Sequence, residues 1–126
     1  MNKRAVYILS LFFLLGCSLP DLVINSVQPS QFIMNSPQNI TVTVENRGGP
    51  ASSIVVQVFL PDTPYKKEQL ITLVSGEKKE LVFDMSDFWM SPVQSFLLVR
   101  VDPENKIMEA NENNNEKQIP IYHTIP

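Results

Sequence analysis

The feature that most constrains the fold is a series of short apolar segments, most of them closed by proline, glycine or asparagine. Ten prolines are spread along the 126 residues, and no long helical pattern fits between them. The clearest segment is Ile40–Asn46, in which isoleucine and valine alternate with threonine and glutamate. Strict period-two alternation is typical of a half-buried antiparallel strand. The chain is therefore predicted to be an all-β protein with a single core.

Seven segments are predicted as strands, because turn residues recur about every 8–12 positions. The segments are residues 21–27, 40–46, 53–60, 68–74, 79–84, 94–102 and 117–122. This spacing predicts an Ig-like antiparallel β-sandwich, in which residues 94–102 form the most apolar and central strand. The alternation also selects a core, whose predicted members are Ile40, Val42, Val44, Val56, Val58, Phe83, Leu97, Val99 and Val101.

The first seventeen residues have the pattern of an export signal. Lys3 and Arg4 precede an apolar stretch, residues 5–15, that is interrupted only by Ser10. This stretch is too short for a transmembrane helix, which needs about 20 apolar residues, and it suits a signal peptide. The sequence Leu-Leu-Gly-Cys at 14–17 resembles the bacterial lipoprotein box, in which the cysteine is acylated and becomes the new N-terminus. The alternative is an ordinary signal peptide followed by a structural cysteine.

Residues 1–16 are thus predicted as a lipoprotein signal peptide, and residues 17–20 as the acylated Cys17 with a short tether. Several acyl chains would hold the protein stably on a lipid bilayer, whereas one chain binds only marginally. The tether spans roughly 10 Å, so we expect the domain to lie close to that bilayer. The residue after the cysteine is Ser18 and not aspartate, which resembles the pattern of lipoproteins exported to the outer membrane in Gram-negative cells.

The composition excludes several classes of function. The net charge is −3, so the basic surface that nucleic-acid binding requires is absent. A single cysteine excludes a disulfide within the chain, and together with a single histidine it excludes a Cys/His zinc site. That histidine, His123, lies near the C-terminus and is expected to be exposed and inert, since without a nucleophile or metal partner it cannot act as a triad base, and no serine lies in an elbow motif. We therefore expect that the protein is not an enzyme.

Three stretches carry a resemblance to a known family. They are Pro-Asp-Leu at 20–22, ITVTVENRGG at 40–49, and residues 101–115, which begin Val-Asp-Pro-Glu-Asn-Lys-Ile and end Asn-Glu-Asn-Asn-Asn. In this order they resemble the CARDB domain, the cell-adhesion-related domain found in bacteria. The similarity covers residues 21–122 and leaves residues 123–126 as a C-terminal tail. The resemblance implies an Ig-like sandwich used as an extracellular interaction module, and it implies no particular ligand.

The loop between the last two predicted strands is rich in side-chain oxygen. Residues 102–116 contain five glutamates or aspartates and five asparagines, and Ca²⁺ prefers such oxygen ligands. Candidate calcium ligands are Asp102, Glu104 and Glu109, although the EF-hand spacing is absent. The alternative is a turn scaffold, in which these side chains accept hydrogen bonds from the loop's own N–H groups. We favour the scaffold and expect no bound cofactor or metal.

Three aromatic residues are candidates for contacts with a partner. Phe88 and Trp89 lie in a predicted loop, and Tyr65 lies in another. Exposed, they would anchor a protein partner or form a platform for a sugar; buried, they would close one end of the sandwich. The expected function is that of a membrane-anchored cell-envelope lipoprotein for adhesion or protein–protein interaction, with an envelope protein or a surface glycan as partner. The alternative is a carbohydrate- or calcium-binding module at the cell surface.

Overall fold

All regular structure in the described part of the chain is β-strand. The computed structural model describes residues 19–33, 38–88, 96–111 and 115–122. Its eight strands are β1 (Leu22–Gln28), β2 (Phe32–Ile33), β3 (Ile40–Asn46), β4 (Ala51–Phe59), β5 (Lys66–Leu73), β6 (Lys78–Phe83), β7 (Phe96–Val101) and β8 (Glu116–Tyr122). Within these ranges no helix is long and apolar enough to cross a membrane. The prediction of an all-β fold is confirmed.

The strands form two sheets that pack face to face. One sheet has the order β1-β3-β6, and the other has the order β2-β8-β7-β4-β5. Neighbouring strands are antiparallel, except that the short β2 runs parallel to β8. This is the predicted Ig-like sandwich, and β7 lies at the centre of its sheet as expected.

The core lies between the two sheets and is built by the alternation seen in the sequence. All nine predicted core residues are buried. In β3, for example, Ile40, Val42 and Val44 point inward, while Thr41 and Thr43 are only partly buried. Because the side-chain period of a strand is two, burying one face fixes the register of every strand that contributes to it.

Seven of the eight strands coincide with the predicted segments to within about two residues, and β3 coincides at both ends. The eighth, β2, was not predicted, because two residues carry no periodicity. Its Phe32 is nevertheless buried in the core, and pairs with Ile121 of β8. Residues 32–33 form a strand because β8, which lies far along the chain, pairs with them.

The strand directions define two ends of the sandwich. Leu22 pairs with Asn46, and Ala51 pairs with Leu73, so the start of β1 lies beside the β3–β4 and β5–β6 turns. The loop that follows β7 is at this same end, because the N–H of Asp102 donates to the carbonyl of Val55 at 2.7 Å. We call this the loop end. We call the opposite end the aromatic end; it contains residues 28–33, 59–66 and 83–88.

Polar side chains join the edges of the two sheets. β5 and β6 are edge strands, and the hairpin between them crosses from one sheet to the other. The Gln69 Nε2 donates to the Val82 carbonyl at 2.7 Å, and the Lys79 Nζ donates to the Thr72 carbonyl at 3.4 Å. Edge strands with inward-pointing charged residues are poor templates for pairing with another chain.

Candidate functional site

Residues 19–22, which lead into β1, are held on several sides at the loop end; we call them the strap. Gly49 and Arg47 donate their N–H groups to strap carbonyls at 3.0 and 2.8 Å, and Ala110 donates to a third at 2.9 Å. The Oε2 of Glu109 accepts the last strap N–H at 3.0 Å. Since Glu109 and Ala110 belong to the oxygen-rich loop, this loop fixes the path by which the chain enters the domain.

Gly48 is required by the close approach of the strap. A Cβ at this position would contact the Leu19 carbonyl oxygen and lie 2.8 Å from the Asp21 nitrogen. Both are backbone atoms, which cannot move aside as the end of a flexible side chain would. The Gly-Gly pair of the sequence is therefore a packing surface for the strap.

Asn46 organises the same end through all of its side-chain hydrogen-bonding capacity. Its Nδ2 donates to the carbonyls of Gly49 and Leu73 at 2.7 and 3.3 Å. Its Oδ1 accepts from the N–H groups of Asp21 and Gly48 at 3.2 and 3.0 Å. The side chain is fully buried, so each bond satisfies a group that water cannot reach.

Asp102 caps the start of the oxygen-rich loop. Its two carboxylate oxygens accept from the N–H groups of Lys106 and Ile107 at 3.0 and 2.8 Å. Its own backbone has a φ of 53°, a left-handed conformation that aspartate tolerates better than most residues. The half-buried Ile107 packs against the core. The carboxylate thus shapes the loop by binding backbone donors.

The three candidate calcium ligands are brought into one loop but serve different partners. Asp102 binds loop N–H groups, as above, and Glu109 binds the strap and the Nδ2 of Asn115 at 2.7 Å. Glu104 is exposed and pairs with Lys106 at 2.8 Å. In the described residues, no three histidine, cysteine, aspartate or glutamate side chains are close enough to hold a metal ion.

Two of the three candidate aromatic contacts form one cluster at the aromatic end. The ring centroids of Tyr65 and Phe88 are 5.3 Å apart, and those of Phe32 and Phe88 are 4.8 Å apart, both edge to face. Tyr65 and Phe88 are partly buried and pack against the core, which leaves part of each ring accessible. Trp89 lies outside the described residues, as do Cys17 and His123.

A small polar network surrounds this cluster. The Tyr65 hydroxyl donates to Asp87 Oδ1 at 3.1 Å, and Lys67 Nζ donates to Asp87 Oδ2 at 2.8 Å. Burial, and then the hydrogen bond to Asp87, raises the pKa of Tyr65 well above its usual range. The Lys67 ammonium, with a smaller contribution from Tyr65, lowers the pKa of Asp87. At neutral pH the cluster therefore presents a neutral phenol, a carboxylate and an ammonium.

Sequence reasoning did not identify Asn46 as a residue that organises the loop end. It singled out Glu109 but did not predict that this side chain binds the strap. The Asn46 partners lie up to 27 positions away, and the Glu109 partner lies 87 positions away. A usable signal was nevertheless present, since Asn46 ends the alternating β3 on its inward face, where an apolar residue is expected. A polar residue at an inward position must find partners.

The chain is similar to a known family and to solved structures. A family model described as CARDB matches residues 19–119. A crystal structure of a CARDB domain from Pyrococcus furiosus, in complex with di-metal ions, is 30% identical; the match covers 84% of this chain and 94% of that one, with a TM-score of 0.66. A solution NMR structure of the same domain is also 30% identical, with 84% and 96% covered and a TM-score of 0.66.

A third structure comes from a different archaeal protein. It is a solution NMR structure of residues 272–376 of a proposed cell surface protein from Methanosarcina acetivorans. The identity is 27%, the match covers 84% of this chain and 93% of that one, and the TM-score is 0.64. No curated protein matches the chain significantly.

Proposed function

The chain belongs to the CARDB family, and from this premise we propose that it is a lipid-anchored protein of the cell envelope. Its single Ig-like domain serves in adhesion or in protein–protein interaction, and the bilayer is its first partner. Support comes from the likeness to a proposed cell surface protein and from the lipoprotein box that ends at Cys17. In a cell with two membranes, Ser18 favours the outer one. In this proposal the CARDB domain acts as an interaction module and performs no catalysis.

The observation that carries the proposal is the position of the strap relative to Cys17. The strap begins at Leu19, only two residues beyond the cysteine, and every strap carbonyl or N–H described above is bound by the loop end. Because the strap is held firmly where the chain enters the domain, the position of the anchor determines the position of the whole sandwich. Such coupling suits a module that must present one end away from a membrane.

The aromatic end is the partner-facing surface in this proposal. It lies at the opposite end of the sandwich from the strap, with Tyr65 and Phe88 partly accessible beside the charges of Lys67 and Asp87. Aromatic side chains rimmed by polar groups are typical of binding hot spots. A neutral phenol and two opposite charges offer hydrogen bonds to a protein or to a sugar.

The anchor is tested by metabolic labelling with a fatty acid. Wild-type protein should take up the label, and Cys17→Ser protein should take up none and remain an unprocessed precursor. Label retained on the Cys17→Ser protein would contradict lipid anchoring at this residue.

The partner-facing end is tested by photo-crosslinking in intact cells. A photoreactive amino acid replaces the exposed Ser86 at the aromatic end, or the exposed Thr72 on edge strand β5 as the matched control. The proposal expects a defined adduct from position 86 that is absent from position 72. The adduct should be lost when Tyr65→Ala and Lys67→Ala remove the neighbouring contacts. Equal labelling from both positions would place the partner elsewhere.

A metal-binding module is the second candidate. The Pyrococcus furiosus domain was solved in complex with di-metal ions, and one local observation favours an ion here. The Oδ1 of Asn115 is buried without a hydrogen-bond partner among the described residues, beside a cavity of about 260 Å³ lined by Asp102 and Glu116. Against it, the carboxylates of Asp102 and Glu109 already accept hydrogen bonds from the fold. The donor set does not fit a calcium site, which takes about six to eight converging oxygens.

A further inference from the structure

An exposed apolar residue lies at the tip of the loop that holds the strap. Met108 is 74% exposed, the largest exposed fraction among the exposed large hydrophobic side chains of the described residues. Its neighbours are fixed on both sides, because Asp102 binds the N–H of Ile107 and Ala110 donates to the strap. Met108 is therefore held on a rigid support and is not the end of a mobile segment. Single exposed apolar side chains are common on protein surfaces, so the significance of Met108 depends on what else lies at this end of the sandwich.

A second exposed apolar side chain lies at the same end. Val74, in the β5–β6 turn, is 59% exposed, and the turn is attached to the loop end through Gly76, whose N–H donates to Asn46 at 2.7 Å. Both residues are thus presented at the end of the sandwich where the strap enters. Met108 and Val74 therefore lie at the same end of the domain as the strap, through which the chain would be attached to its anchor.

The short chain distance between Cys17 and the loop end indicates which partner this end of the sandwich contacts. Ala110 bonds to Pro20, and Met108 is two residues away, so its Cα lies within roughly 7 Å of Ala110. Cys17 is three residues before Pro20 and can lie no farther than roughly 10 Å from it. An acylated Cys17 is fixed at the bilayer surface, so these short chain distances keep the loop tip close enough to that surface for contact.

We propose that Met108, supported by Val74, inserts into the bilayer that holds the lipid anchor, so that the sandwich stands with its loop end on the membrane. This inference rests on the proposed lipidation of Cys17. The net negative charge of the chain gives no electrostatic attraction to an anionic lipid surface, so the proposed contact depends on the apolar side chains alone. The contact is apolar, and it should not weaken when salt is added.

The test uses the full-length lipidated protein, reconstituted into vesicles of phosphatidylethanolamine and phosphatidylglycerol. Acylation of Cys17 is first measured by mass spectrometry. Because the chain has one cysteine, acylation leaves an introduced cysteine as the only free thiol for an environment-sensitive fluorophore. The label is placed at Met108→Cys or at Val82→Cys. Val82 is the matched control, since it is apolar, is 54% exposed and pairs with Thr41 towards the aromatic end.

The expected result is that the label at 108 is shielded from aqueous iodide and emits at shorter wavelength, with a quenching constant about twofold or more below that at 82. Lipid-borne quenchers should act on 108 and not on 82. High salt should leave both results unchanged.

Each other outcome overturns a distinct claim. Absence of acyl chains on Cys17 removes the proposed anchor, and the inference falls with it. Acylated protein in which 108 and 82 are equally accessible keeps the anchor and removes the membrane contact. Shielding of both positions shows a domain lying on its side. Shielding of 108 without vesicles, in a protein that begins at Ser18 and so carries neither the signal peptide nor acyl chains, shows that a second copy, and not lipid, covers the loop end.

Discussion

Gly48 and Gly76 both lie at the loop end, and each is required for a different physical reason. Gly48 has no room for a side chain, because the backbone of the strap lies against it. Gly76 has open space around it but a φ of +79°, which a residue with a Cβ adopts only at a cost. The same substitution should therefore have different consequences at the two sites.

We expect Gly48→Ala to loosen the strap and Gly76→Ala to leave it in place. In Gly48→Ala, hydrogen exchange should accelerate at the N–H groups of Gly49 and Ala110, which donate to strap carbonyls. Gly76→Ala should lower the free energy of unfolding by about 1–2 kcal/mol without that local change. Exchange that accelerates equally in both variants would contradict a separate role for Gly48.

The role of Asn46 shows how little of a residue's energetics a sequence pattern reveals. Asn39 and Asn46 flank the same strand, yet Asn39 is exposed and Asn46 is fully buried. The difference arises from partners on other strands and turns, which become neighbours only when the sheets pack. Alternation places Asn46 on the inward face of the strand and Asn39 on the opposite face, but it does not reveal which groups the buried asparagine binds.

At the scale of the strand, register is the property that the sequence predicts best. The alternation of β3, and of β4 from Ile54 onward, is strong because each has one face on the core and the other face less buried, whereas β7 has three consecutive buried residues, Leu97, Leu98 and Val99. Strand ends were predicted less well, since turn chemistry and not burial decides them. For the loop after β7 the sequence favoured a turn scaffold over calcium ligands, but it did not predict the role of Glu109, because its partner Leu22 lies 87 positions away.

Substitutions on the two faces of the strands test this register. Val42→Ala, Val58→Ala and Val99→Ala each remove buried methyl groups and should cost about 1–3 kcal/mol of unfolding free energy. Thr43→Ala, on the outer face of β3, should cost far less. Denaturant unfolding of the domain produced from Ser18 onward, without the signal peptide and Cys17, measures all four. A larger loss for Thr43→Ala than for Val42→Ala would place the register off by one residue.

The ion pair between Lys67 of β5 and Asp87, in the turn after β6, should make the stability of the fold depend on pH. Lys67 lowers the pKa of Asp87, so a carboxyl-detected NMR titration should place its midpoint below that of an ordinary aspartate. Its stabilising contribution is present above the ordinary value and is lost as the pH falls through the lowered one. Lys67→Met should raise the midpoint of Asp87.

Asp84 provides the control for this titration. Its pKa is lowered mainly by the Ser86 N–H, which donates at 2.9 Å, and Lys67 is only a minor cause. Lys67→Met should therefore move Asp84 much less than Asp87. Equal shifts of the two aspartates would indicate a general effect of charge and not the specific ion pair.

For the molecule as a whole, the interpretation of residues 102–116 as a turn scaffold predicts that calcium does not change the stability of the fold. The melting temperature should be the same in chelator and in millimolar calcium, and Asp102→Ala should lower it equally in both, because the loop N–H groups lose their acceptor. A bound ion would instead stabilise the fold by about 2.7 kcal/mol at a hundredfold excess over Kd, which is several degrees for a domain of this size. Such a rise, abolished by Asp102→Ala, would favour the metal-binding candidate.

The side chains that bridge β5 and β6 have a consequence for a protein confined to a surface. Molecules tethered to a membrane diffuse in two dimensions and share one orientation, so exposed strand edges would meet side by side at high effective concentration. Gln69 and Lys79 donate hydrogen bonds to carbonyl groups across the edge between β5 and β6. The free edge of β1 is interrupted by a bulge near Asn25. In the proposed membrane-anchored form, neighbouring copies can therefore lie close together without pairing their strand edges into one sheet, and each domain stays separately accessible to a partner.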